Sequence, residues 1–494
     1  MVGLHPDLVD KEFWYSDVTL VNTKLPGGFD RDDVDLSGNV TKDIKLKVPL
    51  VSSPMDTVTN GDMAILMALM GGIGVIHYNY PTVNGQIDEA EKLKRFEAAF
   101  IRNPLTLGAQ STVGDVYEHA RKHGFFSYPI TEDGTPNSPM VGIVTRRDVR
   151  YVEDMSIPVT KVMTPRERLR VAHKRETLDR NDIKVANSMI REYNLDTLPI
   201  VDDDFHPVAL VTDSDLRKNE QYRDATKNDN KQLMGLVAIE GMWNDPHTQK
   251  LIKERVHAAH DVGVEGVVID QGILYTDQID VARYVKDTFP DMQVVAGNVD
   301  SAEMVRAVMK EASTFIDALR YGVAVGDVCT TFDLGLGRAP GYGLHECAQM
   351  LDKLKEEYGE MPLIADGGFN TAGDIIHGFA LGARSVMSGV IFAALAESPA
   401  LMRYNEEIGR LEKLYRGMGS IEAIQLRSSD RYGMKPNTKI RIPEGTSKWL
   451  GYRGSGHEFV PFLVASLKQV LHKLGYRNIG ELQQEGYLVP LRRK

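Results

Sequence analysis

The sequence predicts an α/β fold, a (β/α)8 TIM barrel with a tandem pair of small domains inserted into it. Short apolar runs alternate with amphipathic helical stretches along most of the chain, and each run stops at a polar residue or glycine. A repeated segment interrupts this series after the second run. At 494 residues the chain is also too long for one ordinary core, which favours a large barrel with an insertion.

Eight apolar runs are the predicted strands. In chain order they are VPLVSSPMD, GIGVIHYN, LVAIEG, GVVIDQG, QVVAGN, FIDALRYG, PLIADGG and SVMSGV. Uniformly apolar strands are typical of a parallel sheet covered on both faces, and stretches such as TQKLIKERVHAAHDVG have helical spacing of their apolar residues. An open doubly wound sheet is the alternative. The barrel is favoured because no G-x-G-x-x-G opens a helix in the first unit.

The interrupting segment contains a repeat. SYPITEDG and MVGIVTRRDV are echoed by TLPIVDDDFHPVALVTDSDL, so that Thr145 recurs as Thr212 and Asp148 as Asp215 at one offset. Such self-similarity indicates two copies of one supersecondary unit. The pair resembles tandem cystathionine-β-synthase (CBS) domains, which implies an adenine or guanine nucleotide as effector; a repeat that only packs is the alternative. The predicted limits are 1–101 and 223–494 for the barrel and 102–222 for the insertion.

Composition narrows the class of protein. A net charge of −11 argues against general nucleic-acid binding. The longest apolar run, MAILMALMGGIGVI, is too short to cross a bilayer, and no secretory signal is found at the N-terminus. Two cysteines do not make a disulfide framework, so we expect a cytoplasmic protein. From the charge and the short apolar run, we expect no membrane and no specific nucleic acid as partners.

Polar residues at the strand ends form the candidate site, because the carboxyl ends of barrel strands meet at one mouth. They are Ser53, Asp56, His77, Asn79, Asp270, Asn298, the loop Gly322–Thr331, Asp366, Gly367, Gly368, Ser388 and Gly389. Cys329 lies just past a strand end, where a thiol is either a nucleophile or a packing residue. Cys347 falls in a helical pattern and is predicted to pack.

Six motifs occur in a familiar order: PLVSSPMDTVT with GGIGVIH, AGNV, ALRYG with VCTT, LIADGG, YRGMGS, and SSDRYG. Over nearly the whole chain the sequence resembles the inosine-5′-monophosphate (IMP) dehydrogenase and guanosine-5′-monophosphate (GMP) reductase family. The resemblance implies a purine-metabolism oxidoreductase of GMP biosynthesis, which oxidises C2 of IMP with NAD+ to give xanthosine monophosphate. It also implies a covalent cysteine thioimidate that water hydrolyses, and assembly as a homotetramer or octamer.

The resemblance assigns roles position by position. Cys329 would attack C2, Thr331 would assist hydrolysis, and Arg431 with Tyr432 would activate water from a mobile flap at about 421–455. The implied substrate-binding residues are Ser53, Met55, Asn298, Arg320, Asp366, Gly368, Gly389, Tyr415, Gly417, Met418, Gly419 and Glu444. The implied NAD+-binding residues are Asp270, Gly322 and His77, and the backbone carbonyls of Gly326 and Cys329 would bind K+.

Four departures from the family pattern concern the phosphate and cofactor regions. Asp327 and Val390 stand where serines are usual, Ala324 replaces a loop glycine, and DQGILY is a shortened form of the motif after Asp270. A carboxylate facing a phosphate dianion is repelled by roughly 1 to 4 kcal/mol at about 4 Å. The departures leave three explanations: a changed purine substrate, an Asp327 that turns toward Arg320 or Arg338, and loss of activity.

The sequence leaves two further functions open. An NADPH-dependent GMP reductase is one, because Glu346 in HECA resembles the glutamate of reductases on that segment. A reductase has no need of a water-activating arginine, and Arg431 therefore favours the dehydrogenase. A nucleotide-sensing regulatory paralogue with an inert barrel is the other, and it is distinguished by forming no NADH.

Overall fold

The computed structural model describes residues 1–96, 101–102, 104–180, 184–213, 222–428, 431 and 442–491. The chain divides into two compact units. The first unit comprises Met1–Lys94, Asp224–Thr226 and Leu233–Lys494, and the second comprises Arg95–Arg223 and Lys227–Gln232. The predicted insertion, residues 102–222, lies inside the second unit.

Eight parallel strands close into a barrel in the first unit. They are β1 (Leu50–Ser52), β2 (Ile73–Ile76), β3 (Leu236–Ile239), β4 (Gly266–Ile269), β5 (Gln293–Val299), β6 (Ala318–Tyr321), β7 (Leu363–Asp366) and β8 (Ser385–Ser388). Each strand pairs with the next in the chain, and β8 pairs with β1 through Val386 and Leu50, so the sheet has no edge. The predicted (β/α)8 barrel is confirmed, and the open doubly wound sheet is wrong.

The barrel interior is a packed apolar core. It includes Val51, Val75, Val268, Val295 and Ile364, each without measurable exposure. All residues of β2, β3, β4 and β5 are buried. This burial on both faces explains why the strands appear in the sequence as continuous apolar runs instead of alternating ones.

Helices cover the outside of the barrel. They are α1 (Gly61–Leu69), α2 (Val83–Arg95), α3 (Pro246–Val262), α4 (Asp277–Thr288), α5 (Ala302–Ala312), α6 (Pro340–Tyr358), α7 (Ala372–Ala380) and α8 (Gly456–Leu474). Their ends follow ordinary capping chemistry. Asp245 caps α3 by accepting from the Thr248 amide at 2.9 Å, and Gly263 ends it with a φ of 85°.

The second unit contains two four-stranded sheets with separate cores. One sheet has the order Thr164–Pro165, Met140–Val144, Tyr128–Thr131, Leu107–Gly108, and the other Ala172–His173, Thr197–Val201, Pro207–Thr212, Ile101–Arg102. The helices Val113–His123 and Lys184–Tyr193 pack in the respective cores. In the first copy the Thr145 hydroxyl donates to Asp148 at 2.8 Å, whereas Asp215 lies outside the described residues. The assignment as CBS domains stays a prediction.

A three-stranded antiparallel sheet follows the barrel. Its strands are β9 (Met402–Asn405), β10 (Arg410–Arg416) and β11 (Ser447–Gly451), with β10 in the middle. The register of β10 and β11 sets Tyr415 opposite Lys448. Within the described parts of the chain, every helix is too short or too polar to cross a membrane.

Candidate active site

A cleft at the carboxyl ends of the barrel strands gathers most of the sequence-predicted site. It is lined by Ser53, Met55, Asn298, Arg320, Gly322, Gly326, Cys329, Thr331, Asp366, Gly389, Tyr415, Gly417, Met418, Arg431 and Glu444. These residues come from strand ends and loops separated by up to several hundred positions in the sequence. Their convergence follows from the closed barrel, which brings all strand ends to one mouth.

Cys329 begins a continuous chain of hydrogen bonds. Its thiol donates to the Thr331 hydroxyl, with 3.2 Å between Sγ and Oγ1. The same hydroxyl donates to the Glu444 carboxylate, with 2.6 Å between Oγ1 and Oε2. A hydroxyl can accept one hydrogen bond while donating another, so this arrangement connects the thiol to a proton acceptor. Cys347, in contrast, is fully buried on α6, and burial raises the pKa of its thiol.

Backbone hydrogen bonds hold Glu444 beside the cysteine loop. The Thr330 amide donates to the Glu444 carbonyl at 3.0 Å, and the Thr446 amide donates to the Val328 carbonyl at 2.9 Å. The Glu444 amide donates to the Gly419 carbonyl at 2.9 Å. The IPEGT segment is thereby fixed between the loop after β6 and the YRGMGS segment.

A buried network of charges lies beside this chain. Arg320 is fully buried and lies 3.0 Å from Asp270 and 3.5 Å from Asp366, measured between guanidinium nitrogens and carboxylate oxygens. Arg431 pairs with the second oxygen of Asp270, and its carbonyl accepts from the Gly272 amide at 3.1 Å. Burial raises the pKa of Asp366, and the neighbouring Arg320 opposes that rise.

Asn298 and Gln271 each have a buried amide oxygen with no hydrogen-bond partner among the described residues. Asn298 donates its amide group to the Gly322 carbonyl at 2.5 Å and to Asp366 at 3.1 Å, which leaves Oδ1 unsatisfied. The Oε1 atom of Gln271, next to Asp270 at the end of β4, is also unsatisfied. Buried polar atoms are normally paired, so both indicate places for ligand donors.

Asp327 forms an ion pair with Lys448 on β11. The expectation that it turns toward Arg320 or Arg338 is wrong, because both arginines have other partners. Arg320 belongs to the buried network, and Arg338 pairs with Glu346 at 2.7 Å and with Glu12. The Asp327 side chain borders a neighbouring cavity that Tyr15 and Gly368 also line.

The predicted residues Gly419, Asp270 and His77 are not among the described residues that line the cleft. Gly419 contacts Glu444 through its carbonyl, and Asp270 lies behind Arg320 and Arg431. His77 is 4% exposed and stacks on Tyr80 with 4.1 Å between ring centroids, and burial lowers its pKa to about 4. Tyr432 lies outside the described residues. The roles assigned to these residues stay predictions.

Two other departures from the family pattern, Ala324 and Val390, have well-defined backbone conformations. Ala324 adopts a φ of +63°, a left-handed conformation that favours glycine. Val390 is buried as the first residue of the short helix Val390–Ala393, directly after Gly389. The loop therefore keeps a left-handed turn at Ala324 despite the side chain, and Ala324 also lines the cleft.

Sequence reasoning missed Lys448 and Gly272. Gly272 lines the cleft two residues after Asp270, and the rule that strand ends form the site could have found it, as it found Gly367. Lys448 could not be found in this way. Its position depends on the register of β11 against β10, which no sequence motif indicates.

Comparison with known proteins identifies the family. The family model for the IMP dehydrogenase / GMP reductase domain matches residues 12–493. The chain is similar to inosine-5′-monophosphate dehydrogenases of Schizosaccharomyces pombe (37% identity over 93% of this chain and 85% of that protein) and Caenorhabditis elegans (33%, 93% and 87%). The Aquifex aeolicus enzyme is 35% identical over 92% of this chain and 89% of its own length.

Solved structures show the same fold. A GMP reductase variant from Trypanosoma brucei, in complex with guanosine 5′-monophosphate, superposes with a TM-score of 0.86 at 24% identity, over 98% of this chain and 96% of that one. GMP reductase from the same organism in complex with guanosine 5′-triphosphate gives a TM-score of 0.78 at 22% identity, over 99% of both chains. From the family match and the identities to full-length relatives, we conclude that this chain belongs to the IMP dehydrogenase / GMP reductase family.

Proposed function

We propose that this protein is an NAD+-dependent oxidoreductase that converts IMP to xanthosine monophosphate through a covalent bond to Cys329. The observation that carries the proposal is the hydrogen-bonded chain from Cys329 through Thr331 to Glu444 at the barrel mouth. A thiol becomes a strong nucleophile when an adjacent group accepts its proton. The relatives named above are dehydrogenases, and they match nearly the whole chain.

The first step forms a bond between Cys329 Sγ and C2 of the purine. The thiol proton leaves along the Thr331 hydroxyl, which passes its own proton to Glu444. The carbon between two ring nitrogens is electrophilic, so the addition divides one difficult oxidation into two easier steps. Tyr415, Gly417 and Met418 line the cleft as the residues proposed to contact base and phosphate. Asp366 would accept from the ribose hydroxyls.

The end of β4 fits a nicotinamide nucleotide. Asp270 and the unsatisfied Oε1 of Gln271 are acceptors suited to ribose hydroxyls and a carboxamide, and Gly272 borders the cleft. NAD+ held there would supply an acceptor for the hydride from C2. Arg431 pairs with Asp270 in this structure. The Asp270 carboxylate would therefore bind either Arg431 or the cofactor, at different steps of the reaction. His77 and Gly322 complete the proposed cofactor set.

The second step returns Cys329 to its thiol. Water adds to C2, the bond between sulfur and C2 breaks, and the thiol regains a proton. A guanidinium beside a carboxylate stays protonated at neutral pH. Glu444 would first release the proton of the first step to solvent. Arg431 would then orient the water with Tyr432, and Glu444 with Thr331 would accept the water's proton and return it to the Cys329 sulfur.

A potassium ion bound by the backbone carbonyls of Gly326 and Cys329 belongs to the same proposal. The Gly326 carbonyl already accepts from the Cys329 amide at 2.9 Å, and its second lone pair remains for an ion. Turnover measured in K+ and in Na+ tests this part. Equal rates in the two salts would exclude a potassium-specific site.

Regulation and assembly are further parts of the proposal. The paired sheets of the second unit, each with its own core, fit the proposed CBS pair and a nucleotide effector. We expect adenine or guanine nucleotides to bind this unit and the chain to form a homotetramer or octamer. Calorimetry with ATP and GTP, and light scattering of the purified chain, test the two statements separately.

GMP reductase is not favoured. Glu346, the residue that suggested it, pairs with Arg338 and is not among the described residues that line the cleft. The solved GMP reductases are below 25% identical and support the fold alone.

An absorbance screen for NADH tests the proposed function. IMP, inosine, AMP and xanthosine monophosphate are each offered with NAD+, and NADPH-dependent reduction of GMP is assayed in parallel. We expect NADH with IMP, retained by Cys347→Ala and abolished by Cys329→Ala. NADH formation by the Cys329→Ala variant, or oxidation of NADPH by GMP alone, would refute the proposal.

A further inference from the structure

We propose that Lys448 is a specificity-determining residue of this chain that binds the 5′-phosphate of the substrate, held in place by Asp327. The inference rests on the proposed function, because it concerns the nucleotide that the site would bind. It assigns a role to the ion pair between Asp327 and Lys448, which the proposed chemistry does not use.

Lys448 does not line the cleft itself, but its two neighbours, Tyr415 and Asp327, connect it to the glycine-rich end of the cleft. It is directly opposite Tyr415 in the register of β10 and β11, so both side chains are on the same face of the sheet. The Tyr415 hydroxyl lies close to Gly389, since a Cβ atom added there would be 2.6 Å from it. Tyr415 and Gly389 both line the cleft.

Several glycines line or adjoin this end of the cleft. Gly367 and Gly368 have φ values of 92° and 80°, and a Cβ atom added to Gly367 would lie 3.3 Å from the Gly326 amide nitrogen. Asp327 follows Gly326 directly. Closely spaced glycines let backbone N–H groups approach an anion, so the backbone here suits a phosphate.

The charges around this end require a cation. The carboxylate of Asp327 alone would repel a phosphate dianion. Arg320 and Arg431, the cations that line the cleft in the described part of the chain, both pair with Asp270. Lys448 neutralises Asp327, and an ammonium group has three N–H donors, so donors remain for phosphate oxygens.

A nucleoside with a free 5′-hydroxyl is the competing substrate. In that case the Asp327 carboxylate would accept from the hydroxyl inside the cleft. Instead it is engaged by Lys448 and borders the neighbouring cavity, while Lys448 keeps 41% of its side chain exposed. The ion pair therefore favours a phosphate as the group recognised.

Equilibrium binding of IMP and inosine tests the inference without any turnover. Calorimetry is performed on the full chain as wild type, Lys448→Met, Lys448→Arg, Asp327→Ser and the double variant Asp327→Ser/Lys448→Met. We expect Lys448→Met to weaken IMP about 10- to 100-fold and to leave inosine within about two-fold. Lys448→Arg should keep most of the affinity for IMP. Adding Asp327→Ser to Lys448→Met should restore part of the lost affinity, because it removes the uncompensated carboxylate.

Lys355→Met is the matched control, because Lys355 on α6 also forms an exposed ion pair, with Glu360 at 3.1 Å. It should bind IMP like the wild type. Unchanged IMP affinity in Lys448→Met, equal losses for IMP and inosine, or tighter binding of inosine than of IMP by the wild type would each overturn the inference. Failure of the proposed function would appear instead as IMP binding without NADH formation.

Discussion

Arg320 donates to Asp270 at 3.0 Å, and neither side chain has any exposed surface. Asp366 lies 3.5 Å from the same guanidinium and keeps 15% of its side chain exposed, on the cleft side. One buried cation thus supports two carboxylates that the proposed mechanism assigns to cofactor and substrate. Removing one partner of a buried pair leaves an uncompensated charge, which is costly.

Replacing Arg320 with methionine should lower the free energy of unfolding by about 3 to 5 kcal/mol. The loss arises because Asp270 and Asp366 would lose their buried cation. Denaturation in urea measures it, with Arg283→Met as the control, since Arg283 and Asp280 form an exposed pair at 3.0 Å. The control should lose less than about 1 kcal/mol. Similar losses in the two variants would contradict a structural role for the buried network.

Breaking the chain of hydrogen bonds at Thr331 should slow turnover more than it weakens binding. Thr331→Val keeps the shape of the side chain but removes the hydroxyl between Cys329 and Glu444, and we expect kcat to fall about 100- to 10,000-fold. Glu444→Gln should have a similar effect, and Thr331→Ser should retain most activity. Steady-state NADH formation separates kcat from KM. A Thr331→Val enzyme with nearly normal kcat would exclude the proposed proton route.

His345 should make the fold sensitive to acid. Burial lowers its pKa to about 4, below the ordinary value of 6.5, and its Nε2 lies 3.0 Å from the Gln349 amide nitrogen. Between those two pH values the unfolded chain binds the proton and the folded chain does not. The contribution of neutral His345 to the free energy of unfolding is therefore complete above about pH 6.5. It is lost as the pH falls toward 4, by up to about 3 kcal/mol.

Urea denaturation of the wild type and His345→Gln between pH 4 and 8 measures this contribution. The difference in unfolding free energy between them should change across the interval from 6.5 to 4 and be constant above it. A difference that does not vary with pH would show that His345 titrates alike in the folded and unfolded chain.

The barrel was predictable because its strands are buried on both faces. Runs such as LVAIEG and GVVIDQG contain no alternation, and each ends at the polar residue or glycine where the chain leaves the core. The position of Cys329 at the mouth followed from the same rule. The strand-end residues of the cleft were therefore predictable from the pattern, whereas Tyr415, Arg431 and Glu444 were predicted from the family resemblance.

The partners of charged residues were not predictable. One of the three explanations that the sequence leaves open turns Asp327 toward Arg320 or Arg338, yet it pairs with Lys448, which is 121 positions away along the chain. Arg320 serves the buried carboxylates, and Arg338 connects Glu346 to Glu12 near the N-terminus. Such pairings depend on strand register and helix placement, which apolar patterns leave undetermined.

The most direct test of the covalent mechanism uses the Arg431→Ala variant, which should transfer hydride but fail to hydrolyse the product. The variant is mixed with IMP and NAD+, the NADH released is counted, and the protein is digested for mass spectrometry. We predict about one NADH per active site, a purine nucleotide attached to Cys329, and neither signal in the Cys329→Ala/Arg431→Ala double variant. NADH formation without an adduct on Cys329 would contradict the account.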